Sequence, residues 1–194
     1  MRALFAIIPV ALVAALKSTA AEPTVKLLTL DPGHFHAALV QKSMYPEVAP
    51  VVHVYSPGGP DLDLHLKRVT GYNTRAENPT SWKEEVYTGP DFLERMVRDK
   101  AGNVVVISGN NAKKGDYILS SVKAGFNVLS DKPMAINPSD FAKLKDAFTE
   151  AKRRGVLLYD IMTERHETTT ILQRELSRVP NVFGKLEKIG RAHV

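Results

Sequence analysis

Cysteine is absent from the 194 residues. That excludes a disulfide framework, thiolate metal sites, iron–sulfur clusters and a cysteine nucleophile. Charge of one sign is never concentrated: the longest basic run is Lys152-Arg153-Arg154, and no aromatic residue interleaves with it. A net charge of +5 spread in this way does not predict a nucleic-acid partner. No apolar run reaches the roughly 20 residues that span a bilayer, so no stable membrane anchor is expected. Internal repeats and low-complexity segments are also missing. What remains is an ordinary globular composition, 44% hydrophobic and 24% charged with 12 Gly and 12 Pro, at a length that suits one domain of usual size.

The two ends differ from the middle. Met1-Arg2, the uncharged apolar stretch Ala3 to Leu16 and the small residues Ser18-Thr19-Ala20-Ala21 have the order of a secretory signal. Residues 1–20 are therefore expected to be a signal peptide and the mature protein to be periplasmic or secreted. There is no twin-arginine pair, so an unfolded chain would cross and any cofactor would be acquired afterwards. At the other end, Ile189-Gly190-Arg191-Ala192-His193-Val194 resembles the translation of a common sequencing adapter. The adapter's first bases require Lys, Gln or Glu just before it, and position 188 is Lys. Residues 189–194 are expected to be an artefact, with the gene continuing beyond them.

Between these ends, short apolar runs alternate with helical spacing. Strands are expected at Val25 to Leu30, Val51 to Tyr55, Val104 to Ile107, Phe126 to Leu129 and Val156 to Tyr159. Helices are expected at Ala37 to Ser43, Asp61 to Val69, Pro90 to Lys100, Ala112 to Ala124, Pro138 to Arg153 and Thr163 to Arg178. Gly71 to Gly89 reads as the one long loop. The continuous run Val104-Val105-Val106-Ile107 marks a strand covered on both faces. Strands alternating with helices of this length predict right-handed βαβ units, an α/β fold with a doubly wound, mostly parallel, Rossmann-like sheet over residues 21–160. Residues 161–188 would begin a linker helix and a second domain.

In such a sheet ligands bind at the carboxyl ends of the strands. The first strand is followed by Asp31-Pro32-Gly33-His34-Phe35-His36. A dinucleotide fingerprint needs three glycines so that the backbone can approach a pyrophosphate at a helix N-terminus, and only Gly33 is present. Asp31, His34 and His36 are residue types that bind metals. Neighbours in a turn need not converge, however; the histidines equally suit a helix cap or a phosphate contact, and no metal is expected. Ser108-Gly109-Asn110-Asn111 follows the Val104 run as a small polar turn opening a helix. Ser130-Asp131-Lys132-Pro133-Met134 follows the next, and places a lysine beside the crevice, where an ammonium would hold a polarised oxygen and could shift toward neutrality in a dry site.

Taken together, these residues resemble the Gfo/Idh/MocA family of nicotinamide-dependent sugar oxidoreductases. The most specific stretch runs from Val104 to Met134, where Ala124-Gly125 closes a helix and Asp131-Lys132-Pro133 stands where the family has Glu-Lys-Pro. The resemblance extends from Val25 to about Leu186. It implies NAD or NADP as cofactor, Lys132 as the catalytic lysine near nicotinamide and substrate, Gly33 and His36 as the end of the cofactor loop, and Ser108 to Asn111 at its border. It also implies a substrate-binding Arg165. Asp31, Pro32, His34, Phe35, Asp131 and Pro133 fall among the expected cofactor contacts. The strand ending in Tyr55-Ser56-Pro57 lacks the usual acidic ribose ligand, which leaves Tyr55, Ser56 or Asp61 for that contact.

The implied activity is hydride transfer between NAD(P) and a small-molecule sugar or polyol, with the catalytic histidine and aspartate in the second domain, through which a homo-oligomer would also form. Two other functions share the fold: a glycosidase that keeps NAD bound and uses reversible oxidation to drive elimination, and a non-catalytic extracytoplasmic carbohydrate-binding module that has lost the cofactor. The degenerate first loop favours the module, and Lys132 opposes it.

Overall fold

A computed structural model describes residues 23–161 and 166–185. Six strands, β1 (Leu27–Leu30), β2 (Val51–Ser56), β3 (Lys83–Thr88), β4 (Val104–Ile107), β5 (Asn127–Ser130) and β6 (Leu158–Asp160), form one sheet in the order β3-β2-β1-β4-β5-β6. Every pairing is parallel. The helices between them are α1 (His36–Leu39), α2 (Pro60–Thr74), α3 (Phe92–Asp99), α4 (Lys114–Lys123) and α5 (Pro138–Arg154), followed by α6 (Thr168–Ser177) and α7 (Pro180–Phe183).

Strand alternation divides the core into two layers. Leu28 and Leu30 of β1 face the side of the sheet where Val105, Ile107, Met96, Ile118, Val122 and Ala147 pack. Leu27 faces the other side, with Ala37, Ala38, Val52, Val69, Trp82 and Val106. Successive side chains on a strand point to opposite faces, so β1 and β4, covered on both, are apolar at every position except the buried Thr29. At the ends of α5, Asn137 caps with its side chain on the amide of Asp140, at 2.9 Å, and Gly155 closes with φ 70°.

Two expectations need correction. The stretch from Gly71 to Gly89 is not one loop. Helix α2 runs on to Thr74 and β3 pairs with β2 along six registered positions. Strand β3 escaped notice because it is an edge strand, largely exposed and charged at Lys83, Glu84 and Glu85, a composition that protects an open edge and hides the period-2 pattern. Helix α1 stops at Leu39, short of Ser43. Just beyond it the Gln41 carbonyl accepts a 2.6 Å bond from the Trp82 indole, a tertiary contact that competes with further winding.

The expected helix Thr163 to Arg178 is seen as α6 from Thr168 onward. Residues 1–20 and 189–194, and Arg165, lie outside the described residues. None of the helices among the described residues is long and apolar enough to cross a membrane.

Candidate active site at the strand carboxyl ends

The loops after β1, β4 and β5 meet at one end of the sheet. They enclose a cleft of about 260 Å³ lined in part by Gly33, His34, Gly109, Asn110, Asp131 and Lys132. The first two loops are stitched together by backbone. The amides of Gly33 and His34 both donate to the Ser108 carbonyl, at 2.7 and 3.2 Å. Gly109, at φ 104°, lies so close beneath Gly33 that a Cβ on it would stand 2.4 Å from the Gly33 Cα. Only glycine meets both demands. Asp31, with φ 44°, is held by Asn110 Nδ2 at 2.7 Å and by the Tyr117 hydroxyl at 2.8 Å.

Beneath the cleft Asp131 is the hub. It is buried, and its Oδ1 is paired with the ammonium of Lys114, which also reaches the Asp131 carbonyl at 3.3 Å. Its Oδ2 accepts from Ser108 Oγ at 3.0 Å and faces Nδ1 of His34 at 3.0 Å and of His36 at 3.4 Å. Burial pushes the Asp131 carboxyl up, but the Lys114 hydrogen bond and charge, with Ser108 and His34, hold it below its ordinary value. Burial, then the neighbouring His36, hold the His34 imidazole below the usual histidine value, against the pull of Asp131. Lys132 itself is exposed at the mouth, followed by exposed Pro133 across a cis peptide bond.

The structure thus gathers Gly33, His34, Gly109, Asn110, Asn111, Asp131, Lys132 and Pro133 around one cleft, with Ser108 and His36 bonded or packed directly against it. Pro32 is buried behind the loop, and Phe35 is exposed, its ring 4.4 Å from that of His34. Tyr55 and Ser56 go elsewhere. The Tyr55 side chain points into the core on the α3 side, where its hydroxyl bonds Asp99 at 3.3 Å. Ser56 is buried, and its Oγ accepts the Gly58 amide at 3.1 Å to shape the turn into α2. The acid that does approach the first loop is Asp61, in the first turn of α2, with Oδ2 3.5 Å from where a Gly33 Cβ would be. Lys114 and Tyr117 went unremarked in the sequence. The available signal was spacing, since Lys114 shares the buried face of α4 with Ile118, Ser121 and Val122, and a lysine there requires an acid opposite it.

A parallel sheet with its order reversing between β1 and β4, and polar loops gathered at that switch point, defines a dinucleotide-binding domain of the Rossmann class. Residues 49–159 match the Gfo/Idh/MocA oxidoreductase family profile, described as an NAD-binding Rossmann fold. The chain belongs to this family, and NAD(P) is its cofactor. Among solved structures, a "putative oxidoreductase" from Parabacteroides merdae is 61% identical with a TM-score of 0.81, over 84% of this chain and 37% of that one. Biliverdin reductase from a Synechocystis species, solved with biliverdin and NADP+, is 14% identical with a TM-score of 0.58, over 80% of this chain and 44% of that one. A variant 3-ketoreductase from Actinomadura kijaniata, solved with TDP-benzene and NADP, is 16% identical with a TM-score of 0.53, over 78% and 43%. The chain therefore spans less than half the length of these proteins. No curated protein matches it.

The cleft fits the cofactor. Gly33 and Gly109 let the loops after β1 and β4 close on each other and form its wall, Asp61 offers a carboxylate beside the first loop, and Lys132 offers a cation at the mouth.

Proposed function

We propose that the chain is the cofactor-binding part of an exported oxidoreductase that moves a hydride between NAD(P) and an alcohol carbon of a sugar or polyol. The observation that carries this reading is the setting of Lys132. Its neighbour Asp131 is clamped by buried Lys114, so the turn carrying Lys132 is preorganised while its ammonium stays free to meet a ligand. The bound nicotinamide supplies the hydride acceptor or donor. The loops after β1, β4 and β5 would hold it at their shared cleft, and Lys132 would hold the substrate oxygen as charge develops on it. Export rests on residues 1–20.

One observation favours the binding-module reading. The amides of Gly33 and His34, which a pyrophosphate would otherwise meet, are spent on the Ser108 carbonyl, leaving the cofactor phosphates to later positions of the loop and to side chains.

The test uses the product of the full gene, with NAD(P)H absorbance followed against a panel of sugars and polyols. Lys132→Ala should lower kcat/KM by about 100-fold, with NAD(P) affinity measured by calorimetry changing less than about threefold, because the phosphates are expected at the first loop, away from this turn. Lys132→Arg should not rescue, since a planar guanidinium is no substitute for a compact ammonium. Near-normal turnover in Lys132→Ala overturns the assigned role, and the absence of any heat with NAD or NADP establishes the module.

A further inference from the structure

His34 and His36 come from the loop after β1 and Asp131 from the end of β5, and their side chains meet under the cleft. Nδ1 of each ring faces the same oxygen, Asp131 Oδ2, at 3.0 and 3.4 Å. These approaches lack hydrogen-bond geometry, and both ring nitrogens are shut off from solvent without a hydrogen-bond partner among the described residues. All three atoms lie within 4.8 Å of one another. Buried polar atoms in native proteins nearly always have a partner, so two unpartnered ring nitrogens crowded onto one carboxylate oxygen call for something positive between them. An anion such as phosphate does not fit there, because the nitrogens face inward onto a carboxylate.

We propose that His34, His36 and Asp131 bind one divalent transition-metal cation, with zinc and cobalt(II) as the fitting class. Imidazole with carboxylate suits these ions, whereas magnesium and calcium demand oxygen cages. Donors about 2.1 Å from a tetrahedral ion stand about 3.4 Å apart, close to the separations seen here. The outer support is also in place: Lys114 grips the other oxygen of Asp131 and Ser108 Oγ bonds the carboxylate, as ligating carboxylates require. Three protein donors leave one position open, and the His34 side chain, 36% exposed, places it toward the cleft. Lys114 already balances the charge of Asp131, so the open position favours an anionic oxygen. The third donor lies far along the chain from the two histidines, and Asp31, the acid nearest them in sequence, is engaged by Asn110 and Tyr117 instead.

The proposal is independent of the substrate and of the cofactor, and the experiment needs neither. The full chain without a histidine tag, stripped by chelator, is titrated with cobalt(II) and then with zinc. Visible cobalt bands saturating at one equivalent, bleached by zinc, are expected. His36→Ala should weaken zinc binding by at least the roughly 10–100-fold that loss of an outer-shell partner costs, with its melting curve retained, and His34→Ala should act alike. His53→Ala, whose ring pairs with Glu85 at 3.3 Å, should change nothing. Absence of cobalt bands overturns the proposal, as does one-equivalent binding that persists in the double variant His34→Ala/His36→Ala. NAD(P) calorimetry on the metal-free chain reports separately on the cofactor reading.

Discussion

Lys114 and Asp131 form an ion pair in which neither side chain reaches solvent, being 0% and 3% exposed. The pair joins the first turn of α4 to the end of β5, so helix and strand position the Asp131-Lys132 turn together.

Removing one partner strands the other. Lys114→Met should destabilise the domain by about 3–5 kcal/mol, the cost of leaving a buried charge uncompensated. Lys114→Met combined with Asp131→Leu should cost less than Lys114→Met alone. Urea denaturation of both variants checks this, and a double variant less stable than the single would refute it.

Gly109→Ala meets two obstacles at once. Its φ of 104° strains any L side chain by about 1–3 kcal/mol, and its Cβ would fall on the Gly33 backbone. The expected result is a lower melting temperature with weakened NAD(P) binding. Gly125→Ala is the control, since its φ of 88° carries similar strain with nothing within 4 Å to clash, and it should leave cofactor affinity intact.

Tyr55 titrates late. Burial, then the Asp99 carboxylate, push its phenol up to about 12, and burial with Asp31 raises Tyr117 as well. A raised folded-state pKa means the phenol's contribution to stability is complete below about pH 10 and is lost as pH rises through the folded value. Ultraviolet titration of the folded chain should show late phenolates that disappear one each in Tyr55→Phe and Tyr117→Phe; ordinary titration of both would contradict the geometry.

Tyr117→Phe also removes a donor from Asp31. A hydrogen bond to a charged group is worth about 1.5–3 kcal/mol, and Asp31 sits in a left-handed conformation that depends on its partners. Amide exchange at Gly33 and His34 should quicken by at least tenfold, read by hydrogen–deuterium exchange; unchanged protection there would show that the Ser108 carbonyl alone holds the loop.

The sequence made the sheet legible where strands are buried on both faces: the Val104–Ile107 run stands as expected, and so does the crevice at the ends of β1, β4 and β5. It concealed β3, whose charged edge carries no apolar signal. Tyr55 shows a different limit. Its place at a strand's carboxyl end says where the backbone goes, but alternation turned the ring into the α3 layer. Lys114 was hidden because a lysine in a helix ordinarily reads as solvent-facing. Only the partner across the sheet end, Asp131, gives it a role, and that pairing is tertiary.

The two borders of the sheet are protected unequally. Strand β3 carries Lys83, Glu84 and Glu85, whereas β6 is three residues long and presents Leu157 at 72% and Tyr159 at 53% exposure beside it. A stray strand meets a row of three charged side chains on one side and, on the other, a short strand with a single acid, Asp160, beside exposed apolar surface. Among the described residues, the β3 border is therefore the one whose side chains oppose an added strand electrostatically, and resistance to ribbon growth is built into that side of the sheet.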